Sequence, residues 1–226
     1  MLGLIGPNGS GKTTFFNVLT GLYPASSGAI EFDGTPVTRL RPPAIYRVGI
    51  ARTFQRSRLC LPLSVFDNVM IGAHARLDHG LTFNLLRRRA LRRQLEDGRE
   101  RVRELLALFD PPLARKLEEP VARIPMIDRR RVEICRALIS KPRLLLLDEP
   151  SAGMTHDETT RLMDDILEAR RRIGGLAIIL IEHEMSVIER VTDRCVVLNY
   201  GRKIAEGTYS EVARDPMVKQ AYLGLE

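Results

Sequence analysis

The sequence predicts an α/β fold in which a mostly parallel β-sheet is covered by helices. Two observations support this prediction. Short apolar runs alternate with helix-like stretches along the chain, and a glycine-rich loop separates the first apolar run from the first helical pattern. The chain has 226 residues, of which 44% are hydrophobic. This is the length of one domain, or of one domain with a subdomain, and it supplies enough apolar material for a core.

Composition and spacing exclude several classes of protein. The longest apolar run, residues 176–181, has six residues, whereas roughly 20 are needed to cross a bilayer, so we expect no transmembrane segment. The first residues carry no basic stretch followed by an apolar segment, and we therefore expect no secretory signal. Cys60, Cys135 and Cys195 lie too far apart for zinc-site spacing, which favours reduced thiols in a cytosol.

The first half of the chain begins with a strand and with the helix that follows the glycine-rich loop. The predicted elements are a strand at Leu2–Ile5, a helix at residues 12–20, a hairpin at residues 29–37, a strand at residues 49–54 and a helical region at residues 64–108. We expect the hairpin to turn at Asp33 and Gly34, because this pair accepts the positive φ angles of a tight turn.

The second half alternates strands and helices more regularly. The predicted elements are a helix at residues 128–139, a strand at residues 143–147, a helix after Thr155, a strand at residues 176–181, a helix at Met185–Val191, a strand at residues 195–198, a turn at residues 199–201 and two short C-terminal helices. Thr155 and Glu158 form a capping box, in which each side chain satisfies a free donor at the helix start.

The glycine-rich loop fits the phosphate-binding pattern G-x-x-x-x-G-K-[ST] without a gap, and it lies between an apolar strand and a helix as that pattern requires. Glycine lets successive backbone N–H groups surround a phosphate, and the helix N-terminus adds partial positive charge. Lys12 would reach the β- and γ-phosphates, and the Thr13 hydroxyl would bind Mg²⁺. The residues expected to bind nucleotide here are Gly6, Pro7, Asn8, Gly9, Ser10, Gly11, Lys12, Thr13 and Thr14.

Two adjacent carboxylates end the apolar strand at residues 143–147. Asp148 and Glu149 follow four leucines, and ligands bind at the carboxyl ends of strands in open α/β sheets. We expect Asp148 to hold Mg²⁺ through water and Glu149 to polarise the water that attacks the γ-phosphate. Two solvated acids that end the strand by chance are the alternative interpretation.

With these two motifs, the chain resembles the ATP-binding cassette (ABC) family over nearly its whole length. The resemblance implies a P-loop nucleoside triphosphatase core at residues 1–55 and 141–226, with a helical subdomain inserted at about residues 56–140. It places a glutamine that senses Mg²⁺ and the attacking water at Gln55, and a histidine that contacts the γ-phosphate at His183. For His183, a purely structural role is the alternative. The implied ligands are ATP and Mg²⁺, with Glu149 and His183 as catalytic residues and with Thr13, Gln55 and Asp148 around the metal.

Within this family, the chain most resembles the ATPase subunits of branched-chain amino acid importers. Residues 130–138, 148–153 and 207–224 carry the resemblance. It implies an enzyme that hydrolyses ATP to drive transport at the cytoplasmic face of the membrane. The implied partners are a second ABC ATPase chain, paired head to tail as a homodimer or heterodimer, transmembrane permease subunits and, indirectly, a substrate-binding protein. Urea-type and lipopolysaccharide-export ATPases are close neighbours, so the cargo is inferred by resemblance alone.

Two departures from the family pattern affect the site. Only five residues precede Gly6, and we expect the N-terminal antiparallel strands, with their adenine-stacking aromatic residue, to be missing. The signature motif, usually Leu-Ser-x-Gly-Gln, reads Ile124-Pro125-Met126-Ile127-Asp128. Pro125 lacks an N–H donor, and Ile127 places a branched side chain where glycine allows close backbone approach to the γ-phosphate. We expect this signature to act poorly on a partner chain's nucleotide.

Two alternative functions stay open. A catalytically impaired, nucleotide-binding regulatory subunit is favoured by the degenerate signature and opposed by the presence of Glu149 and His183. A soluble ABC ATPase acting on nucleic acid is compatible with the net charge of +7, but the arginine-rich residues 87–103 lack interleaved aromatics for base stacking, so no nucleic acid is expected. Those arginines are interpreted first as a solvated helix face and second as a contact with anionic lipid. Residues 64–74 are expected to help form the groove for a coupling helix of the membrane subunit.

Overall fold

The computed structural model describes residues 1–78, 80, 83 and 86–223. Among them, six strands form one sheet and two form a separate hairpin. The strands are β1 (Leu2–Ile5), β2 (Glu31–Phe32), β3 (Thr35–Pro36), β4 (Ile50–Arg52), β5 (Leu144–Asp148), β6 (Ala177–Ile181), β7 (Arg194–Asn199) and β8 (Arg202–Gly207). The sheet order is β4-β5-β6-β1-β7-β8, and its neighbours are parallel except for β7 and β8. The predicted mostly parallel sheet is confirmed.

Nine α-helices lie entirely within the described residues. They are α1 (Lys12–Leu19), α2 (Pro42–Val48), α3 (Val65–Ile71), α4 (Arg88–Phe109), α5 (Met126–Leu138), α6 (His156–Ile173), α7 (Met185–Val191), α8 (Tyr209–Val212) and α9 (Pro216–Leu223). The predicted capping box is present, because Thr155 accepts from the backbone of Glu158 while Glu158 accepts from the backbone of Thr155. The hairpin turn has Asp33 at φ 46° and Gly34 at φ 73°, as its sequence predicts.

The apolar strand sequences account for the buried centre of the sheet. Leu145, Leu146 and Leu147 of β5 are at most 1% exposed, which is typical of parallel strands that are covered on both faces. Leu4 of β1 and Phe16 of α1 belong to the same buried cluster as Leu146. Because β1, β5 and β6 are parallel, the loops that follow their carboxyl ends lie at one edge of the sheet. That edge carries the predicted site.

The chain divides into two compact units. The first consists of Met1–Gln55, Arg143–Ala152 and Leu176–Glu226, and it contains the six-stranded sheet. The second consists of Arg56–Pro142 and Gly153–Gly175, and it contains the helices α3 to α6.

The helical unit has its own apolar interior and a partly buried ion-pair network. Val102 and Leu106 of α4 are fully buried, as are Val69 of α3 and Val132 of α5. On α5, Arg131 donates from Nε and from a terminal guanidinium nitrogen to Asp165 Oδ2 at 2.9 and 2.8 Å. This side chain therefore links α5 to α6.

The structure corrects two features of the secondary-structure prediction. Arg202–Gly207 forms strand β8, whereas the sequence analysis places only a turn before the C-terminal helices. The helical region predicted at residues 64–108 is divided, since α3 ends at Ile71 and α4 begins at Arg88, with a short 3₁₀ turn at His74–Arg76. Five residues of that predicted region, 79, 81, 82, 84 and 85, lie outside the described residues.

A close contact inside the helical unit requires glycine at position 72, directly after α3. At Gly72, a Cβ would lie 1.9 Å from the backbone oxygen of Arg136. Only glycine fits this approach of two backbones. Within the described ranges, no helix is both long and apolar enough to cross a membrane.

Candidate functional site: a nucleotide-binding edge of the sheet

The phosphate loop leaves β1 and enters α1 through three glycines with positive φ angles. Gly6, Gly9 and Gly11 have φ values of 150°, 80° and 103°. At Gly6 a Cβ would lie 2.1 Å from the backbone oxygen of Leu198, so the loop and strand β7 approach too closely for any side chain. The glycines that the motif requires are therefore needed by the geometry of the loop itself.

Lys12 is buried beneath the loop. Its side chain is directed back at the loop, where Nζ donates to the backbone oxygens of Gly6 at 2.8 Å and Pro7 at 3.0 Å. Burial lowers the pKa of Lys12, and the nearby carboxylates of Glu149 and Asp148 oppose that shift. The ammonium group thus lies where a phosphate cradled by the loop would meet a positive charge.

Several hydroxyl groups surround the start of α1. The hydroxyls of Thr13 and Thr14 are on exposed residues of its first turn. Ser10 is buried, and its Oγ has no hydrogen-bond partner among the described residues. The backbone oxygen of Ser10 accepts from the N–H of Gly201 at 2.9 Å, which fixes the loop to the β7–β8 turn.

A buried ion pair holds the carboxylate at the end of β5. Arg52 of β4 donates to Asp148 Oδ2 at 2.6 Å, and the side chains are 5% and 2% exposed, respectively. The same guanidinium donates to Asn17 Oδ1 at 2.6 Å and lies over the rings of Phe16 and Phe54, at 5.3 and 5.0 Å from their centroids. Arg52 therefore joins the helix after the phosphate loop to the end of β5.

The other oxygen of this carboxylate is the one that fits a metal. Asp148 Oδ1 is buried and has no hydrogen-bond partner among the described residues. Burying an unpaired carboxylate oxygen is costly, and Mg²⁺ prefers one or two carboxylates together with waters and phosphate oxygens. The Asp148 oxygen and the exposed Thr13 hydroxyl therefore fit a hydrated Mg²⁺ held with a nucleotide.

Glu149 lies between two of the predicted site residues. Its Oε2 accepts from Gln55 Nε2 at 2.7 Å, and its Oε1 lies 2.5 Å from His183 Nε2. Its backbone is left-handed, with φ at 48°, and its N–H donates to the backbone oxygen of Ile181 at 2.9 Å. The structure thus brings Gln55, Glu149 and His183 together, although they come from three separate segments of the chain.

Two residues at this edge were not predicted from the sequence. Arg52 is the first, and the signal for it is a charged side chain at the end of the short strand Ile50–Arg52. Glu182 is the second, and its signal is an acid directly after the apolar strand β6. Glu182 is buried, and its Oε1 accepts from the N–H of Ser151 at 3.0 Å and from Ser151 Oγ at 2.7 Å. Burial raises the pKa of this carboxyl group, against the hydrogen bonds that lower it.

The segment predicted as a degenerate signature begins α5 in the helical unit. Pro125 precedes the helix and makes no side-chain cap, and Pro125 and Met126 are exposed. Asp128 is buried and pairs with Arg131 at 2.9 Å, one turn further along the helix. The first turn of α5 therefore presents proline and apolar side chains to solvent, with its carboxylate directed at an arginine of the same helix.

A strand, a glycine-rich loop and a helix, in one parallel sheet with a second strand that ends at Asp148 and is followed by Glu149, define a P-loop nucleoside triphosphatase. Comparison with known proteins identifies the family within this class. The chain belongs to the ABC transporter family, whose sequence profile matches residues 1–152. A second profile, described as a branched-chain amino acid ATP-binding cassette transporter, matches residues 202–226.

Individual relatives agree with this assignment over almost the whole chain. The high-affinity branched-chain amino acid transport ATP-binding protein LivG of Salmonella typhimurium is 37% identical over 224 residues, covering 99% of this chain and 87% of that protein. BraF of Pseudomonas aeruginosa, which carries the same description, is 34% identical with the same coverage. Among solved structures, a nucleotide-free ATP-binding cassette from an ABC transporter superposes with a TM-score of 0.81 at 27% identity, covering 98% of this chain and 87% of the other.

Proposed function

We propose that this chain is the ATP-binding and ATP-hydrolysing subunit of an ABC importer for branched-chain amino acids. The observation that carries the proposal is the position of the Glu149 carboxylate between Gln55 and His183, at the sheet edge that also holds the phosphate loop and Asp148. The cargo rests on the likeness to LivG and BraF, which are described as branched-chain amino acid transport proteins.

The residues of the site divide the work of hydrolysis. The loop at residues 6–14 binds the phosphates of ATP, with Lys12 exchanging its bonds to the loop carbonyls for bonds to the β- and γ-phosphates. Thr13, Asp148 and Gln55 are the residues that would hold Mg²⁺ and its waters, and the ion would neutralise charge on the β- and γ-phosphates. Glu149 accepts a proton from the attacking water.

His183 completes the arrangement by contacting the γ-phosphate. Its Nε2 faces Glu149 in this structure, so one imidazole can orient the acid before it meets the phosphate. Positioning and electrostatic stabilisation supply most of the rate enhancement in phosphoryl transfer, because there is little covalent chemistry for the protein to perform.

The assembly follows from the same proposal. The chain would pair head to tail with a second ABC ATPase chain and bind transmembrane permease subunits at the cytoplasmic face of the membrane. A substrate-binding protein would take part indirectly. The division into a core at residues 1–55 and 141–226 and a helical subdomain at about residues 56–140 also stays a prediction. In the structure, Gly153–Gly175 cluster with the helical unit.

Replacing Lys12 by Ala tests the proposed activity. The variant loses the only charge that the loop carbonyls hold in place within the described residues, and we expect ATP turnover to fall to background. The matched control is Lys203→Ala, which removes an exposed lysine paired with Glu206. Steady-state phosphate release is the measurement. Turnover that persists in purified Lys12→Ala would contradict the assignment of the phosphate loop.

A second candidate function is favoured by the start of α5. Pro125 and Ile127 replace a hydroxyl and a glycine of the usual signature, and the helix start has no side-chain cap. A chain with this feature would bind ATP at its own phosphate loop and act as a poor partner for the other chain's nucleotide, so catalysis would be impaired in one of the two composite sites and the bound ATP there would serve regulation. Losing one preorganised donor of this kind costs roughly 10²–10³ in rate.

Restoring the signature tests whether the two composite sites are unequal. If this chain's signature acts poorly on the partner's nucleotide, Pro125→Ser together with Ile127→Gly should raise turnover of the assembled complex. Before the repair, turnover should depend steeply on Lys12 and weakly on the partner chain's equivalent lysine. Equal losses from replacing either lysine would contradict an inequality of the two sites.

A further inference from the structure

The buried carboxylate of Glu182 ties together the two loops that carry Glu149 and His183. Glu182 directly precedes His183 and is 4% exposed. Its Oε1 accepts two hydrogen bonds from Ser151, from the N–H at 3.0 Å and from Oγ at 2.7 Å. Its Oε2 accepts from the N–H of His183 at 3.3 Å. The Glu182 side chain thus bonds to the backbone of Ser151, in the loop after Glu149, and to the backbone of His183.

The loop after β5 needs such an external restraint. Glu149 has a left-handed backbone with φ at 48°, a conformation that is strained for residues other than glycine. Such strain persists only where the surroundings fix the backbone. Two backbone bonds restrain the loop, from the Glu149 N–H to Ile181 at 2.9 Å and from the Ala152 N–H to the Glu149 oxygen at 3.1 Å. The two bonds from Ser151 to Glu182 add a restraint from the neighbouring loop.

We propose that Glu182 is a positioning residue for ATP hydrolysis, which holds Ser151 so that the Glu149 carboxylate stays against His183. The inference rests on the proposed function, because it concerns the efficiency of the same site. Among the described residues, Glu182 makes its hydrogen bonds to Ser151 and to the N–H of His183, and none to the phosphate loop. Its removal should therefore affect the chemical step and leave nucleotide binding in place.

Two substitutions at Glu182 distinguish a role as a hydrogen-bonded tether, which holds Ser151, from a role of its negative charge. Glu182→Gln keeps an oxygen that can accept both bonds from Ser151, and it loses only the longer contact with the His183 N–H. Glu182→Leu has a similar volume and accepts none of the three bonds. A tether predicts that Gln preserves turnover and Leu does not, whereas an electrostatic role predicts that both variants fail.

Ser151→Ala provides a milder variant that retains the buried glutamate. It removes the 2.7 Å bond from Oγ and keeps the 3.0 Å bond from the backbone. Its matched control is Ser140→Ala, which also removes a hydrogen bond from a buried serine hydroxyl, here to the backbone oxygen of Ala137 at 3.2 Å in the helical unit.

The experiment measures kcat and KM for ATP in the full-length variants, together with the Kd for a fluorescent ATP analogue. We expect Glu182→Leu to lower kcat roughly 10²-fold, as a misplacement of about 1 Å can, while the Kd changes less than about twofold. Ser151→Ala should lower kcat roughly fivefold, the value of one hydrogen bond. Glu182→Gln should stay within about threefold of the parent, and Ser140→Ala should match the parent. The double variant Glu182→Leu with Ser151→Ala should be no slower than Glu182→Leu, because both changes break the same tether.

The outcomes that would overturn the inference are distinct from failure of the proposed function. Equal kcat in Glu182→Leu and the parent, equal loss in the Gln and Leu variants, or a Kd that weakens in parallel with kcat would each overturn the tether. Additive losses in the double variant would do the same. A parent whose turnover does not depend on Lys12 would instead overturn the proposed function, and the tether with it.

Discussion

Replacing Arg52 by Met should destabilise the folded chain far more than replacing an exposed arginine. The Arg52 guanidinium is paired with Asp148 at 2.6 Å, and the two side chains are 5% and 2% exposed. It also donates to Asn17 at 2.6 Å. Methionine fills much of the same volume with no charge and no donor, so the Asp148 carboxylate would be left buried and unpaired.

The size of the effect follows from this burial. Charges about 4 Å apart attract by about 4 kcal/mol at an effective dielectric constant near 20. Removing one partner of a buried pair costs roughly 3–5 kcal/mol, since the other charge then has no compensation. We therefore expect the free energy of unfolding to fall by about 3–5 kcal/mol. For a chain of this size each kcal/mol corresponds to about 2–4 °C in the melting temperature.

Urea unfolding followed by circular dichroism measures this difference, because the midpoint and slope together give the free energy of unfolding. The control is Arg143→Met. Arg143 forms an ion pair of similar length, 2.5 Å to Asp33, but those side chains are 55% and 49% exposed. Exposed pairs contribute about 0–1 kcal/mol, so the control should lose little stability.

A double substitution tests the cause. Asp148→Asn alone leaves Arg52 unpaired, and Arg52→Met alone leaves Asp148 unpaired. Combining them removes both charges, so the combined loss should be smaller than the sum of the single losses. The reasoning is refuted if Arg52→Met costs no more than Arg143→Met, or if the two single losses simply add.

Three further predictions need simpler measurements. Glu149→Gln keeps the size of the side chain and removes the acid, so ATP binding should persist while phosphate release stops, and a variant as fast as the parent would exclude Glu149 as the catalytic acid. Burial raises the pKa of Glu182 above its ordinary 4.5. Between pH 4.5 and the raised pKa, the folded chain therefore binds more protons than the unfolded chain. The parent should then lose free energy of unfolding relative to Glu182→Gln as pH rises from about 4.5 towards 7, and a constant difference in urea midpoints would contradict this. Iodoacetamide should label the exposed Cys60 in the native chain and spare the buried Cys135, whose pKa is raised by burial. Mass spectrometry of native and denatured samples would expose any early labelling of Cys135.

Features encoded in contiguous residues could be predicted from the sequence. The phosphate loop depends on glycines at fixed spacing, and the structure gives those glycines the positive φ angles that other residues avoid. The capping box at Thr155 and Glu158 spans three residues. The parallel strands are short apolar runs because both of their faces are covered. In each case the physical cause acts within a few residues of the chain.

Strand β8 shows why some secondary structure escaped prediction. Its sequence, Arg-Lys-Ile-Ala-Glu-Gly, has little apolar content, and its residues are exposed or half-buried. It is the last strand of the sheet and forms by antiparallel pairing with β7. The backbone of β7 stabilises it more than its own side chains do, so no local pattern marks it.

Contacts between distant segments of the chain could not be predicted from the sequence either. Arg52 and Asp148 are separated by 96 positions, and Ser151 and Glu182 by 31. Arg52, Asp148 and Glu182 each end or directly follow an apolar run, which is a weak signal alone. Their partners are chosen by strand order, since β4, β5 and β6 are neighbours in the sheet. The strand order must therefore be known before these charged residues can be assigned to one site.

The start of α5 shows how a lost motif acquires a structural role. Asp128 stands where the family's signature usually has a glutamine, and its carboxylate pairs with Arg131 at 2.9 Å. Arg131 in turn donates to Asp165 of α6 at 2.8 Å and lies 3.9 Å from Asp110. Replacing Asp128 by glutamine would remove one charge from this partly buried network, so it would break an ion pair as well as restore a motif. Repair of the signature is therefore best confined to Pro125 and Ile127, whose side chains take no part in that network.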